Sequence, residues 1–288
     1  MARVLVIGSV ARDEVFQVQE RLRPGTHGHA RPRGVRLGGG GAAFALPLAA
    51  SGHVATLAAP LGDDDLGEQM LAELTAAGID TSQVVRCAGP STRSIVLTDE
   101  VGERTILNVH RCREAAPPER LRPLDADYLY VRSRAHDLAP LLRELGQRMP
   151  VVAHVPPCEA GSRPARILVG SASDLPPDWL REPWPAGRAV AGPALEWVII
   201  TRGAQGASAH GRDADRLEIP APAVEVVDST GAGDVFAAGL VHALLEGLDM
   251  APALARAVAW GTESTRWECS GLPARALARL LTDGLAAG

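Results

Sequence analysis

Lysine is absent from the 288 residues, so all 29 basic side chains are arginines. A phosphate-binding loop of the Walker type requires a lysine, and so do Schiff-base aldolases and pyridoxal enzymes. The sequence therefore excludes these three classes. Arginine keeps its proton and forms no imine, but its planar guanidinium binds carboxylates and phosphates.

Basic blocks, paired cysteines and long apolar runs are also missing. With 34 acidic residues against 29 basic ones, the net charge is −5, which argues against nucleic acid and anionic membranes as partners. The four cysteines form no Cys-x-x-Cys pair, which indicates free thiols in a reducing compartment. No apolar run approaches the ~20 residues of a membrane span. We therefore expect a cytoplasmic protein.

Short apolar runs alternate with helical patterns along most of the chain. Continuous apolar runs are typical of parallel strands buried on both faces, and they predict strands at residues 4–7, 54–58, 128–131, 151–155, 167–169 and 197–200. Helical patterns fall at residues 66–77, 138–145, 235–245, 252–260 and 273–285. This alternation predicts a doubly wound, mostly parallel α/β sheet flanked by helices, in a single domain spanning residues 1–288.

Two segments depart from this alternation. Residues 14–37 and 92–109 alternate apolar and polar side chains, which predicts antiparallel strands with one exposed face, outside the main sheet. Residues 156–193 are rich in proline and glycine, and beyond the short strand at 167–169 no regular element is predicted within them.

The strongest chemical signal is the string VVDSTGAGDVF at residues 226–236. A turn of small residues opens a helix there, which leaves the N–H groups of Gly231, Ala232 and Gly233 unpaired at the positive end of the helix dipole. Such a turn suits a phosphate, or the charge that develops during its transfer. Asp234 can accept a proton from an attacking hydroxyl. The alternative is that Asp234 merely caps the helix.

The complete string resembles the signature Asp-Thr-x-Gly-Ala-Gly-Asp of the ribokinase-like (PfkB) carbohydrate kinases, with Ser229 in place of the usual threonine. The resemblance covers most of the chain and is closest to ketohexokinase-type members. Four further stretches carry it: Gly8-Ser9 with Asp13, residues 38–52 with the pair Gly38-Gly39, GDDDLG at 62–67, and TRGAQG at 201–206.

The resemblance implies a ribokinase-like fold with a small β lid and ATP-dependent phosphorylation of a hydroxyl on a sugar-like molecule. Asp234 would be the base, the amides of residues 231–233 the anion hole, and Asp13 would orient the acceptor. Acceptor-site residues would be Asp13, Gly38, Gly39, Gly40, Ala43 and Arg132. Nucleotide-site residues would be Ser171, Thr201, Gly203, Gly206 and Asp228.

The resemblance also bears on metals and assembly. Mg²⁺ is expected to enter with ATP, next to Asp174, which with Ser171 stands where many members have Asn-x-x-Glu. A requirement for a monovalent cation is left open. By analogy, a homodimer would form through the lid strands.

The acceptor site departs from the family pattern at three positions. Ala43 stands where an asparagine usually binds sugar hydroxyls, and Gly40 stands where ketohexokinases carry another. Arg132 replaces a usual glutamate, and its fork favours a carboxylate or phosphate on the acceptor. Arg134, which follows it, and the lid arginines Arg93, Arg104 and Arg111 are further candidates, although each could instead face solvent or pair with Asp127 or Asp137.

Several functions therefore stay open. One is a kinase acting on a neutral ketohexose-like sugar, and another is a kinase acting on an acidic or phosphorylated sugar. A nucleoside kinase of the same fold is a third. A member that binds a metabolite or nucleotide without turnover is the fourth, since the acceptor site has lost its asparagines.

Overall fold

The computed structural model describes residues 1–20, 25, 27–99, 104–213 and 215–286, with side chains to residue 282. The strands are β1 Arg3–Gly8, β2 Ala11–Val18, β3 Ala30–Gly38, β4 Val54–Ala58, β5 Pro60–Gly62, β6 Val85–Cys87, β7 Arg93–Thr98, β8 Arg104–His110, β9 Tyr128–Arg132, β10 Val151–Val155, β11 Ile167–Ser171, β12 Trp197–Thr201, β13 Ala207–Gly211 and β14 Arg216–Ile219. The α-helices are α1 Gly40–Ala50, α2 Asp65–Ala76, α3 Ala139–Leu145, α4 Pro177–Arg181, α5 Pro183–Ala191, α6 Ala232–Leu245, α7 Met250–Ser264 and α8 Ala274–Ala286.

The main sheet has eight strands in the order β14-β13-β12-β11-β10-β9-β1-β4. The six strands from β12 to β4 are parallel, and β13 and β14 continue the sheet as an antiparallel edge. All six predicted strands lie in the parallel part, and the predicted α/β class with a mostly parallel sheet is confirmed.

Both faces of this sheet are buried, as the apolar runs predicted. Successive side chains of a strand point to opposite faces, so Val4 and Val6 join one apolar cluster while Leu5 and Ile7 join the other. Helices α1, α6 and α7 cover the first face, and helices α3, α4 and α5 cover the second. No helix in the described part of the chain is long and apolar enough to cross a membrane.

A second sheet has four strands in the order β3-β2-β7-β8, and we call it the lid sheet. Its pairs β2–β3 and β7–β8 are antiparallel, as predicted, but the central pair β2–β7 is parallel. The prediction of antiparallel strands throughout was wrong at that pair. Helices α1 and α2 lie between β2 and β7 in the chain and return it in the same direction. Residues 21–24 and 26 of the first predicted lid segment, and residues 100–103 of the second, lie outside the described residues.

Several elements were not predicted because their sequences are poor signals. Helix α1 begins at Gly40-Gly41 and contains Pro47, and both residue types disfavour helix interiors. Helices α4 and α5 lie in the segment rich in proline and glycine, where each begins with a proline.

Candidate active site

The predicted site residues gather along one edge of the main sheet. Gly8 and Arg132 are neighbours in the β1–β9 register, and Ser171 and Thr201 are neighbours in the β11–β12 register. All four stand at the carboxyl ends of parallel strands, which is the edge where open α/β sheets bind ligands.

Helix α6 begins at this edge with the turn that the sequence singled out. Gly231 has φ 78°, the left-handed conformation that favours glycine, and its carbonyl accepts hydrogen bonds from the amides of Asp234 and Val235. The Ala232 amide makes a long hydrogen bond of 3.3 Å to the carbonyl of Ser229. The amides of Gly231 and Gly233 have no acceptor among the described residues, so they can bind an anion.

The chain before the turn is anchored by Asp228. This carboxylate accepts a hydrogen bond of 2.8 Å from the Thr230 amide and pairs with Arg36 of the lid sheet. Arg104, also in the lid sheet, donates to Ser229 Oγ over 3.1 Å. Thr230 Oγ1 is buried and finds no partner among the described residues. A buried hydroxyl usually has a partner, so an oxygen-rich ligand at this turn would complete it.

Asp234 lies in the first turn of α6 and is only 7% exposed. Arg132 Nε donates to its Oδ1 over 2.7 Å, and the Tyr130 hydroxyl stands 3.5 Å from the same oxygen. The adjacent carboxylate raises the pKa of Arg132, and burial followed by Asp234 raises the pKa of Tyr130. Because both neighbours contact Oδ1, Oδ2 is the oxygen left to accept a proton.

The arginines that the sequence singled out have different surroundings in the structure. Arg132 pairs with Asp234 rather than with Asp127 or Asp137, and Asp127 accepts the amide of Arg3 instead. Arg93 pairs with Glu14. The pKa of Arg111 is lowered by partial burial and then by two nearby cations, which are Arg113 and Arg134.

The acceptor-site glycines make room for charged groups. A Cβ atom at Gly38 would overlap the Asp13 carboxylate, at 2.0 Å from Oδ2. A Cβ atom at Gly40 would lie 2.5 Å from Cγ of Arg132. Gly39 has φ 90° and packs on the Ser9 carbonyl. Charged groups thus occupy the space beside both glycines, and at position 40, where ketohexokinases carry an asparagine, that group is Arg132.

Asp13 is buried in β2, and burial raises the pKa of its carboxyl. Arg36 is the main opposing influence on that pKa, and nearby Asp228 adds to the rise. Arg36 therefore acts on both the predicted acceptor aspartate and the aspartate that anchors the α6 turn. Ala43 lies against the same turn, with its Cβ 3.6 Å from a Cβ placed at Gly231.

The predicted nucleotide residues follow strands β11 and β12. Gly203 (φ 54°) and Gly206 (φ 86°) form a tight turn, in which a Cβ at Gly206 would lie 2.0 Å from the Ile219 carbonyl. After β11, Ser171 Oγ is 2.8 Å from Ser173 Oγ, and the Asp174 amide donates to the Ser171 carbonyl. The serine hydroxyls and the Asp174 carboxylate are oxygen ligands of the kind that suits Mg²⁺, although the described residues hold no cluster of three His, Cys, Asp or Glu side chains that could bind a metal.

Three further residues at this edge were missed. Tyr130 precedes Arg132 by two positions, and side chains two positions apart in a strand lie on the same face of the sheet. This spacing could have predicted that Tyr130 lies beside Arg132. His154 is buried, with its ring at right angles to that of Tyr130, and burial holds its pKa well below 6.5. Arg36 gave no local signal, because its partner Asp228 lies 192 residues away.

A parallel sheet edge with free helix amides and a buried carboxylate beside them defines a class, the small-molecule kinases of ribokinase-like fold. The chain belongs to the pfkB family of carbohydrate kinases, whose profile matches residues 1–145 and 185–270. It is a carbohydrate kinase, as the family match and its relatives show.

The chain is similar to the ATP-dependent ribose-1-phosphate kinase of Halopiger xanaduensis, with 30% identity over 284 residues and 91% of each chain covered. A putative ribokinase from Agrobacterium tumefaciens has a similar structure, with 24% identity, 99% of each chain covered and a TM-score of 0.78. The ribokinase of Arabidopsis thaliana, solved with ribose and ATP, reaches the same TM-score at 18% identity, covering 97% of this chain and 98% of that one.

Proposed function

We propose that this carbohydrate kinase transfers the γ-phosphoryl group of ATP to a hydroxyl of a sugar that already carries an anionic group, such as ribose 1-phosphate. The observation that carries this proposal is the guanidinium of Arg132 beside the carboxylate of Asp234, with 2.7 Å between Nε and Oδ1. A positive charge next to the base favours an anionic acceptor over a neutral one. The similarity to a ribose-1-phosphate kinase supports the same acceptor class.

In this proposal Asp234 is the general base. The acceptor hydroxyl passes its proton to Oδ2, and its oxygen forms a bond to the γ-phosphorus. The bond from that phosphorus to the β–γ bridging oxygen breaks, and ADP leaves. The amides of Gly231 and Gly233 stabilise the negative charge on the transferred group, since they are preorganised at the positive end of α6.

The remaining residues hold the two substrates. Asp13 accepts hydrogen bonds from hydroxyl groups of the sugar. Its carboxylate lies in the space that the missing Cβ of Gly38 leaves. ATP lies along Ser171, Thr201 and the turn at residues 203–206. Asp174 is the carboxylate that would hold Mg²⁺ arriving with the nucleotide, and the metal would supply neutralisation of phosphate charge. The lid sheet excludes water from the acceptor, and Arg36 and Arg104 tie it to the α6 turn.

The test is ADP release from Mg·ATP against sugar phosphates, sugar acids, neutral sugars and nucleosides. The proposal predicts that ribose 1-phosphate or another anionic sugar has the highest kcat/KM. A neutral hexose or a nucleoside as the preferred acceptor would contradict the role of Arg132. ATP binding without ADP release across the whole panel would favour the non-catalytic alternative.

A further inference from the structure

Gly40 and Arg132 compete for the same space beside Asp234. A Cβ atom at position 40 would lie 2.5 Å from Cγ and 3.1 Å from Nε of Arg132, and 3.2 Å from Oδ1 of Asp234. The shortest of these distances is below the 3.0 Å that Cβ contacts respect. Any residue larger than glycine would therefore displace the arginine.

The backbone does not require a glycine at this position. Gly39 has a positive φ angle and Gly40 does not. Gly40 is also the first residue of α1, where alanine would be expected to favour the helix. The space that Gly40 leaves for Arg132 is thus the feature that explains it.

Arg132 uses only part of its hydrogen-bonding capacity on the protein. Its Nε donates to Asp234, while Nη1 and Nη2 have no acceptor among the described residues. The side chain is 27% exposed. The outer edge of the guanidinium is therefore available to bind a phosphate or carboxylate through two parallel hydrogen bonds.

We propose that Gly40 is a specificity-determining residue, because it lets one guanidinium hold the Asp234 carboxylate and the acceptor's anionic group together. A cation on Oδ1 competes with the proton that Asp234 has to accept, and a bound anion on the same guanidinium offsets that charge. The acceptor's charge then acts on turnover as well as on affinity. This inference rests on the proposed function, since it names a determinant of the same site.

The experiment is a double-mutant cycle of Gly40→Ala and Arg132→Ala, with ribose 1-phosphate and ribose as the two acceptors. ADP release gives kcat and KM for each. Gly40→Ala is expected to lower kcat/KM for ribose 1-phosphate by about tenfold or more, which is the range of a lost charge-assisted hydrogen bond. With ribose no anion contacts Arg132, and displacing the guanidinium also removes the cation that competes for the Asp234 proton, so kcat/KM should fall by a smaller factor and the preference for ribose 1-phosphate over ribose should drop severalfold.

The Arg132→Ala background is the matched control for the added methyl group. With the arginine truncated, only the approach to Asp234 Oδ1 at 3.2 Å remains of the three close approaches, so adding Gly40→Ala should lower kcat/KM for ribose 1-phosphate much less than it does in the wild type. Urea unfolding and calorimetric ATP binding report whether each variant keeps its fold and its nucleotide site. If Gly40→Ala folds only when Arg132 is also replaced, the shared space is equally supported.

Two results are distinguishable failures. If Gly40→Ala lowers kcat/KM equally for both acceptors and in both backgrounds, residue 40 does not determine specificity through Arg132 and the inference is overturned. If the wild-type chain phosphorylates ribose and ribose 1-phosphate with equal kcat/KM, the proposed function fails whatever the effect of Gly40→Ala. The inference then fails with it.

Discussion

Arg36 Nη2 lies 2.6 Å from Oδ2 of Asp228, although 192 positions separate the two residues in the chain. Arg36 belongs to the lid sheet, and Asp228 anchors the turn before the proposed base. Both side chains are largely buried, with exposures of 14% and 4%. One ion pair thus joins the lid sheet to the turn at the N-terminal end of α6.

Replacing Arg36 with methionine should destabilise the fold, because it leaves the Asp228 carboxylate buried without its partner. We expect the free energy of unfolding in urea to fall by about 3 kcal/mol, which is typical of breaking a buried pair from one side. Arg36→Met combined with Asp228→Asn should recover part of this loss. A loss below about 0.5 kcal/mol would place the pair among weak surface bridges.

Ionic strength should separate the acceptor classes. If Arg132 holds the acceptor's anion, the KM for ribose 1-phosphate should rise several-fold when ionic strength increases from about 0.02 M to about 0.5 M. Steady-state kinetics with the Arg132→Ala variant give the control, in which this dependence should be much weaker. An equally weak dependence of KM on ionic strength in the wild type would contradict the proposal that Arg132 binds the acceptor's anion.

Stability should fall between pH 7 and pH 5 because of a histidine pair in which His242 is buried and His53 half-buried. His53 Nε2 and His242 Nδ1 lie 2.9 Å apart, and the His242 ring stacks on Trp260. Burial lowers the pKa of His242 to about 4, with His53 and Arg256 adding to the shift and Glu246 opposing it. Burial also lowers the pKa of His53.

Stability decreases at low pH because the unfolded chain takes up a proton that the folded chain does not. Below its ordinary pKa of 6.5, His242 is protonated in the unfolded chain but not in the folded one, so stability is complete above pH 6.5 and is lost as the pH falls toward 4. Relative to His242→Gln, the wild type should lose about 2 kcal/mol more unfolding free energy between pH 7 and pH 5. Parallel pH profiles for the two proteins would refute this assignment.

The lid sheet also bears on assembly. Ile106 is 43%, Leu107 50% and Val109 58% exposed on the edge strand β8, and a group of exposed apolar side chains is typical of an interaction surface. We expect a dimer through the lid at micromolar concentration, and Val109→Asp should convert it to a monomer in light scattering. Val226→Asp, which changes an exposed valine outside the lid, is the matched control. A monomeric wild type would contradict the expectation.

The parts of the site that are contiguous in sequence could be predicted. The turn and Asp234 lie within one string, and the geometry of a helix N-terminus follows from local backbone chemistry. The buried parallel strands could be predicted from apolar runs, because both faces of the sheet are covered by helices. The direction of the central lid pair was missed, because it depends on the path of the intervening helices.

Contacts between distant residues could not be predicted in the same way. Arg132 was expected near the acceptor, but its contact with Asp234 joins residues 102 positions apart. Gly40 was expected only to lack a hydrogen-bonding side chain, whereas its missing Cβ leaves space for Arg132. The space shared by Gly40 and Arg132 beside Asp234 is formed by three distant segments of the chain, so it is known only from the folded structure. The catalytic and binding roles given to these residues stay predictions.

The role of Asp234 as base is the central claim, and Asp234→Asn tests it most directly. This substitution keeps the shape of the side chain and removes its ability to take a proton. We expect kcat with the best anionic sugar to fall by about 10²- to 10⁴-fold, while calorimetric ATP binding and the urea midpoint stay near the wild-type values. Turnover within a few-fold of wild type would show that another group removes the proton.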